Sequence, residues 1–146
     1  MTKKIKLLGL LSTLIIVGIL YFFFKNEKKA TSEPKAPNVQ NEVYLRGEQL
    51  FENNCSYCHY KGMDKVMTAP ALGGITKKRD KRWLYRYTRN SIGMYKSGDS
   101  IAKQLRSEKW GLMPSFPQLN NTALEAIYYY VEQRYEMTQK GIPVKE

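Results

Sequence analysis

The most informative part of the chain is the short motif Cys55-Ser56-Tyr57-Cys58-His59. On a helical turn, side chains three and four positions apart share a face, so both thiols and the imidazole point the same way. Two thiols can bond the two vinyl groups of a haem while the imidazole binds its iron. We therefore predict one haem c, attached covalently through Cys55 and Cys58 and ligated by His59.

Two other chemistries use a similar pair of cysteines. A zinc site needs four ligands, but the chain has only two cysteines and one histidine. A thioredoxin-like redox pair needs a strand–helix–strand setting, and no such pattern surrounds the motif. Haem attachment is the interpretation that remains.

The sixth ligand of the iron has to come from a residue other than histidine. Methionine is the best remaining candidate, because His/Met ligation is a known way of raising the haem potential. Met113 fits best, since Pro114 favours an extended backbone before it and Pro117 stiffens the loop. Met94 stays open as an alternative. Met63 follows the haem-binding histidine too closely to reach the other face of the haem.

Several short pieces outside the motif complete a recognisable pattern. They are Gly47, Phe51, Ala69-Pro70-Ala71-Leu72-Gly73, Met113-Pro114, Ile127 and Tyr130. With the cysteine motif, they make the chain from about Glu42 to Glu136 resemble the class I monohaem cytochromes c, in a membrane-anchored bacterial form. The resemblance implies a small all-α fold of three to five helices wrapped round one covalent haem.

The resemblance also implies roles for individual residues. His59 and Met113 become the two axial ligands, and the Pro70 carbonyl accepts the second ring N–H of the histidine. We include Trp83 among the residues predicted to bind the cofactor. Ala69 departs from the pattern, because related chains often carry glycine there.

Helical periodicity extends the predicted domain on both sides of the motif. Beyond the motif, a capping box formed by Thr122 and Glu125 opens the last helix, and Gly141 with Pro143 ends it. The family resemblance implies that Ile127 and Tyr130 of this last helix pack against Gly47 and Phe51 of the first. The other predicted helices are Glu42–Asn54, Asp80–Ser91 and Ser100–Trp110.

An uncharged apolar run, residues 7–24, precedes the domain. As a helix extended by its flanking residues it would span roughly 27–30 Å, about the thickness of a bilayer core. We predict an uncleaved single-pass anchor, because the apolar stretch of a signal peptide is shorter. The resemblance then implies the cell inner membrane, with the haem domain on the periplasmic side. The predicted segments are a cytoplasmic N-terminus at 1–6, the anchor at 7–24, a flexible linker at 25–41, the cytochrome c domain at 42–140 and a tail at 141–146.

The chain is strongly basic. Its formal net charge is +11, and 18 basic against 12 acidic residues remain from Ala30 onward. No interleaving of aromatic and basic residues points to nucleic acid, so we predict no such partner. One basic cluster has two interpretations: a docking face for an acidic redox partner, or a solvated surface that partly balances the haem propionates. The basic cluster consists of Lys77, Lys78, Arg79, Lys81, Arg82, Arg86 and Arg89.

With both axial positions filled, the iron has no site for oxygen or a substrate. We therefore predict an electron carrier, not an enzyme, that exchanges single electrons with redox proteins of a respiratory chain. Two alternatives stay open. One is a fixed haem subunit of a larger membrane oxidase, quinol-oxidising or nitric-oxide reductase complex; the other is a haem sensor with an open iron position.

Overall fold

The structure is a computed structural model that describes residues 17–22, 39–108 and 110–144. The chain divides into two units, Met1–Ala36 and Pro37–Glu146. The second unit is helical, and the prediction of an all-α fold is confirmed for the described residues, none of which forms a strand. Its helices are α1 (Val39–Asn54), α2 (Ile75–Lys78), α3 (Lys81–Lys96), α4 (Ser100–Ser107) and α5 (Asn121–Gln139).

The first and last helices cross at the core of this unit. Gly47 permits the crossing, because a Cβ at this position would lie 2.0 Å from the Ala126 carbonyl oxygen of α5. Beside it, the buried rings of Phe51 and Tyr130 pack with centroids 5.4 Å apart. The predicted pairing of Gly47 and Phe51 with the last helix is confirmed. The core around the crossing also includes Met63, Leu84, Leu119, Leu124, Ile127 and Val131.

Helix α3 begins at a side-chain cap and is interrupted before its end. The Asp80 carboxylate accepts two backbone N–H groups of the first turn, which a helix start otherwise leaves unpaired. At Asn90 the backbone leaves the helical region, with φ −146° and ψ 49°. Asn90 Oδ1 accepts the Gly93 N–H at 3.1 Å. The helix predicted to end at Ser91 therefore restarts from this internal cap and continues to Lys96.

The last helix has a different cap from the predicted one. Asn120 Oδ1 accepts the Ala123 N–H at 2.9 Å, so α5 begins before Thr122 and the predicted capping box at Thr122 is wrong. At the other end, Gly141 adopts a positive φ of 76°. The N–H groups of Gly141 and Ile142 then donate to carbonyls of the last turn, as in a Schellman cap. The predicted end of the helix is confirmed.

Two other boundaries differ from the sequence prediction. Helix α1 begins at Val39, inside the segment 25–41 predicted as linker, and its first turn carries the acidic Glu42, which suits a helix N-terminus. Helix α4 ends at Ser107, before the Trp110 that was predicted to close it. The short α2 has no periodic signal in the sequence and was not predicted.

The predicted transmembrane anchor lies mostly outside the described residues. Of its range 7–24, the structure describes 17–22, which are helical. Across the described ranges, we find no helix with the length and apolar character needed to cross a membrane. The structure therefore gives the predicted anchor no support.

Candidate haem site

The turn that follows α1 brings two thiols and an imidazole together. The Cys55 N–H donates to the Phe51 carbonyl at 2.7 Å, which continues the helical pattern for one more residue. The Cys55 carbonyl then accepts the N–H groups of Cys58 and His59 at 3.1 and 2.9 Å. These bonds close a tight turn that carries all three side chains. Both cysteines are free and half-buried.

The His59 ring is held by the backbone on one side. Its Nδ1 lies 2.9 Å from the Pro70 carbonyl oxygen, and since a carbonyl can only accept, Nδ1 carries the proton. Nε2 therefore keeps its lone pair for a metal. Burial lowers the pKa of His59, and the bond to Pro70 opposes this with a smaller effect. The favoured form of His59 is therefore the neutral imidazole that iron requires. The contact between His59 and the Pro70 carbonyl, which the resemblance implies, is present.

The environment of Cys55 suits a neutral sulfur. Burial is the main cause that raises the pKa of this thiol to about 12, and the nearby Cys58 adds to it. A thiolate is disfavoured at such a site, whereas a thioether carries no charge and loses nothing by being buried. The donor set of two unpaired cysteines and one neutral imidazole therefore fits a covalently attached haem.

Three methionines considered as the sixth ligand lie in different environments. Met63 is fully buried in the core at a positive φ of 68°, and its carbonyl accepts the Gly73 N–H at 2.8 Å. Met94 is buried on α3. Met113 is half-buried in the loop between α4 and α5. Ligation by Met113 stays a prediction; of these three side chains, that of Met113 is partly exposed, whereas those of Met63 and Met94 are buried.

The Met113 loop is bonded to α3 at several points. The Ser91 hydroxyl donates to the Met113 carbonyl. Two residues further along, Ser115 Oγ lies 3.3 Å from the Ile92 N–H, which donates to it. The Phe116 N–H donates to the carbonyl of Thr88 at 3.0 Å. The backbone of the predicted ligand loop is thus fixed on the helix at its broken turn.

Sequence reasoning did not single out the serines of this contact. A hydroxyl in a helix or a loop adds nothing to hydrophobic periodicity. The available signal was the pair Asn90-Ser91 inside a predicted helix, because both residue types have only moderate helix propensity and often bond to nearby backbone groups.

Trp83 is already hydrogen-bonded within the protein. Its Nε1 lies 3.2 Å from both carboxylate oxygens of Asp99, and its ring stacks on Tyr87 with centroids 4.7 Å apart. Burial, followed by the charge of Asp99, raises the pKa of Tyr87. The predicted contact of Trp83 with the cofactor remains a prediction, and it concerns the ring, since the indole N–H has a partner.

The structure neutralises part of the basic cluster. Arg89 makes contacts within the domain. Its Nε donates to the Leu119 carbonyl at 2.7 Å, and its guanidinium lies over the ring of Tyr85, which is also on α3. Three other cations form ion pairs: Lys77 with Glu132 at 3.5 Å, Lys81 with Glu125 at 2.9 Å and Arg82 with Asp80 at 3.7 Å. Within the part of the chain that is described, Lys78, Arg79 and Arg86 have no carboxylate within 4 Å.

These features define a class of protein. An all-α domain whose first helix ends in a cysteine–cysteine–histidine turn, with the imidazole fixed for metal binding, is a c-type haem protein. Comparison with protein families gives the particular family: residues 44–134 match the cytochrome c model. The chain therefore belongs to the cytochrome c family, and the prediction of a class I c-type cytochrome is confirmed at this level.

The individual proteins that are similar to this chain include two cytochromes c. Photosystem II extrinsic protein V of Porphyra purpurea is 29% identical over 132 residues, which is 84% of this chain and 79% of that protein. The solved cytochrome c from Rhodothermus marinus is 29% identical, with a TM-score of 0.58 over 74% of this chain and 88% of that one. An engineered form of it, Rma TDE, is also 29% identical, with a TM-score of 0.55 over 74% and 89% of the two chains.

Family and site together give the cofactor. The protein carries haem c through thioether bonds to Cys55 and Cys58, as predicted, and it is an electron-carrying haem protein. His59, whose ring is fixed by the Pro70 carbonyl, would hold the iron through Nε2. The carrier class is in line with the prediction that the protein is not an enzyme.

The predicted localisation has to be corrected. We predicted the cell inner membrane, with a single span at 7–24 and the haem domain on the periplasmic side. The relative from Porphyra purpurea is by its name an extrinsic protein. With no spanning helix found in the described residues, the prediction of a single-pass membrane location is wrong.

Proposed function

We propose that this cytochrome c carries single electrons between protein partners of a respiratory chain. The observation that carries the proposal is the attachment of the Met113 loop to α3 through Ser91 and Thr88. A methionine on a fixed backbone can occupy the sixth iron position continuously, which leaves no position for oxygen or a substrate. Bound haem supplies a one-electron ferric/ferrous couple, and the chain's residues hold its ligands and exclude water.

Carbon monoxide tests this proposal, because it binds ferrous haem that has an open or weakly held sixth position. The absorption spectrum of the reduced, purified protein is recorded before and after addition of the gas. An unchanged spectrum supports a filled position and an electron-transfer role. A complete carbon monoxide adduct contradicts the carrier function and favours a haem sensor.

A second candidate is a fixed haem subunit of a larger complex. The name of the Porphyra purpurea relative, an extrinsic protein of photosystem II, favours an assembly of this kind for that protein. For this chain, gentle lysis followed by size-exclusion chromatography separates the two functions. Haem absorbance eluting at the size of a 17.0 kDa chain supports the carrier, and stable co-elution with other subunits supports the complex.

We also propose that the unpaired part of the basic cluster docks an acidic redox partner. Lys78 and Arg86 are exposed and have no carboxylate partner among the described residues. They contribute to encounter through long-range attraction, which salt screens. The charge reversals Lys78→Glu and Arg86→Glu should slow oxidation of the reduced protein by membranes of its native host, most strongly at low ionic strength.

The matched control for docking is Lys103→Glu. This exposed lysine lies on α4, outside the basic cluster, and its reversal changes the net charge equally. Docking through the cluster requires a larger loss of rate for Lys78→Glu and Arg86→Glu than for the control. Equal effects of all three variants would show that only the overall charge acts, and rates independent of salt would show that charge does not contribute to the encounter.

A further inference from the structure

We infer that Ser91 and Ser115 are positioning residues for the sixth haem ligand, acting through the backbone of the Met113 loop. The inference rests on the proposed function, in which Met113 closes the iron. It concerns how a weak thioether ligand is kept in place. Neither serine needs to touch the haem, because each bonds to the chain that carries the ligand.

The break in α3 makes the helix available to the loop. In an unbroken helix the Ile92 N–H would donate to the Thr88 carbonyl, four residues earlier. Here the Thr88 carbonyl accepts the Phe116 N–H at 3.0 Å, and the Ile92 N–H donates to Ser115 Oγ at 3.3 Å. The loop thus bonds to the carbonyl and the N–H group that would pair with each other in an unbroken helix. The non-helical residue Asn90 lies between Thr88 and Ile92.

Ser91 is the central residue of this contact. It is fully buried, its hydroxyl donates to the Met113 carbonyl, and its Oγ lies 3.2 Å from Ser115 Oγ. A buried hydroxyl that loses its partner is costly, so the Ser91 side chain strongly favours the position in which the loop is docked. The bonded carbonyl belongs to the same residue as the predicted ligand sulfur.

At Met63 and Met94, the other two methionines considered as ligands, no serine in the described part of the chain bonds a loop to a helix. Met63 packs in the core, and the serine near Met94, Ser97, bonds to the Met94 carbonyl from the end of α3 at 3.1 Å. Ser97 therefore offers a matched control: it makes a hydroxyl-to-carbonyl bond on the same helix, next to a methionine that is not the predicted ligand.

The test compares Ser91→Ala, Ser115→Ala and Ser115→Thr with Ser97→Ala in the haem-containing protein. The first readout is the far-red charge-transfer band of methionine-ligated ferric haem. The second is the fraction of reduced protein that binds carbon monoxide, and the third is amide hydrogen exchange at Ile92 and Phe116. Loss of one typical hydrogen bond should raise the ratio of undocked to docked loop roughly three- to ten-fold.

We expect both alanine variants to weaken the band, bind more carbon monoxide and exchange these amides faster. Ser115→Thr keeps the hydroxyl and should behave like the wild type. If Ser91→Ala fails to fold, the half-buried Ser115 still decides the question. The inference is overturned if Ser91→Ala and Ser115→Ala match Ser97→Ala, or if Ser97→Ala alone weakens the band.

The wild-type protein separates this inference from the proposed function. If the charge-transfer band of the wild type is absent and the protein binds carbon monoxide fully, the proposal of a filled sixth position is refuted, and the proposed carrier function with it. If its band is intact and the two serine variants have no effect, the carrier function stands and only the positioning role fails.

Discussion

The crossing of α1 and α5 allows one substitution, Gly47→Ala, to be worked out quantitatively. The added Cβ would lie 2.0 Å from the Ala126 carbonyl oxygen and 2.7 Å from Tyr130 Cβ, whereas ordinary contacts begin at 3.4 Å. The nearest atom belongs to backbone, so no side-chain rotation relieves the overlap and the helices must separate. Overpacking typically costs about 1–3 kcal/mol, and an overlap of this depth with backbone belongs at the upper end of that range. Alanine returns about 0.5–1 kcal/mol through its better helix propensity.

We therefore expect Gly47→Ala to lower the free energy of unfolding by roughly 2 kcal/mol. For a domain of this size, that corresponds to a fall in Tm of about 8–16 °C. Thermal unfolding of the haem-containing protein, followed by far-UV circular dichroism, measures it. The control is Gly111→Ala, where an added Cβ meets nothing within 4 Å and φ is not positive. A Tm for Gly47→Ala that equals the control would refute the close crossing.

Three further predictions concern caps, pH and the cofactor. Asn120→Ala should lower the free energy of unfolding, measured in urea, by about 1 kcal/mol, and Thr122→Ala should lower it much less, because Asn120 caps α5. A larger loss for Thr122→Ala than for Asn120→Ala would support the capping box instead. Burial raises the pKa of Tyr128 to about 12, so its contribution to stability is complete below the ordinary value of about 10 and is lost as pH rises from there toward 12. Unfolding free energies between pH 8 and pH 11.5 should fall more steeply for the wild type than for Tyr128→Phe, and equal slopes would argue against burial. Without haem, as in a Cys55→Ser, Cys58→Ser double variant, we expect no cooperative melt, because a core of this size needs the cofactor to complete it; a native-like transition would contradict this.

Much of the candidate site could be predicted from sequence because its parts are local. The thiols and the imidazole of Cys55, Cys58 and His59 occupy one turn, so residue spacing alone brings them together. The crossing of Gly47 with the last helix was predicted from the resemblance to the class I cytochromes c, and the spacing of Gly47 and Phe51 permits it. Boundaries were less predictable: the cap at Asn120 and the restart at Asn90 depend on which side chain reaches a free N–H group.

Haem attachment, the all-α class and the approximate order of the helices could be predicted from the amino-acid sequence, because each depends on residues close together along the chain. The folded structure was needed to show which side chains bond to partners distant in sequence. It bonds the loop of Met113 to a broken turn of α3, gives the Trp83 N–H to Asp99, and neutralises much of the basic cluster. A carboxylate or carbonyl from a distant part of the chain leaves no mark in local periodicity, since its position depends on how the whole chain packs.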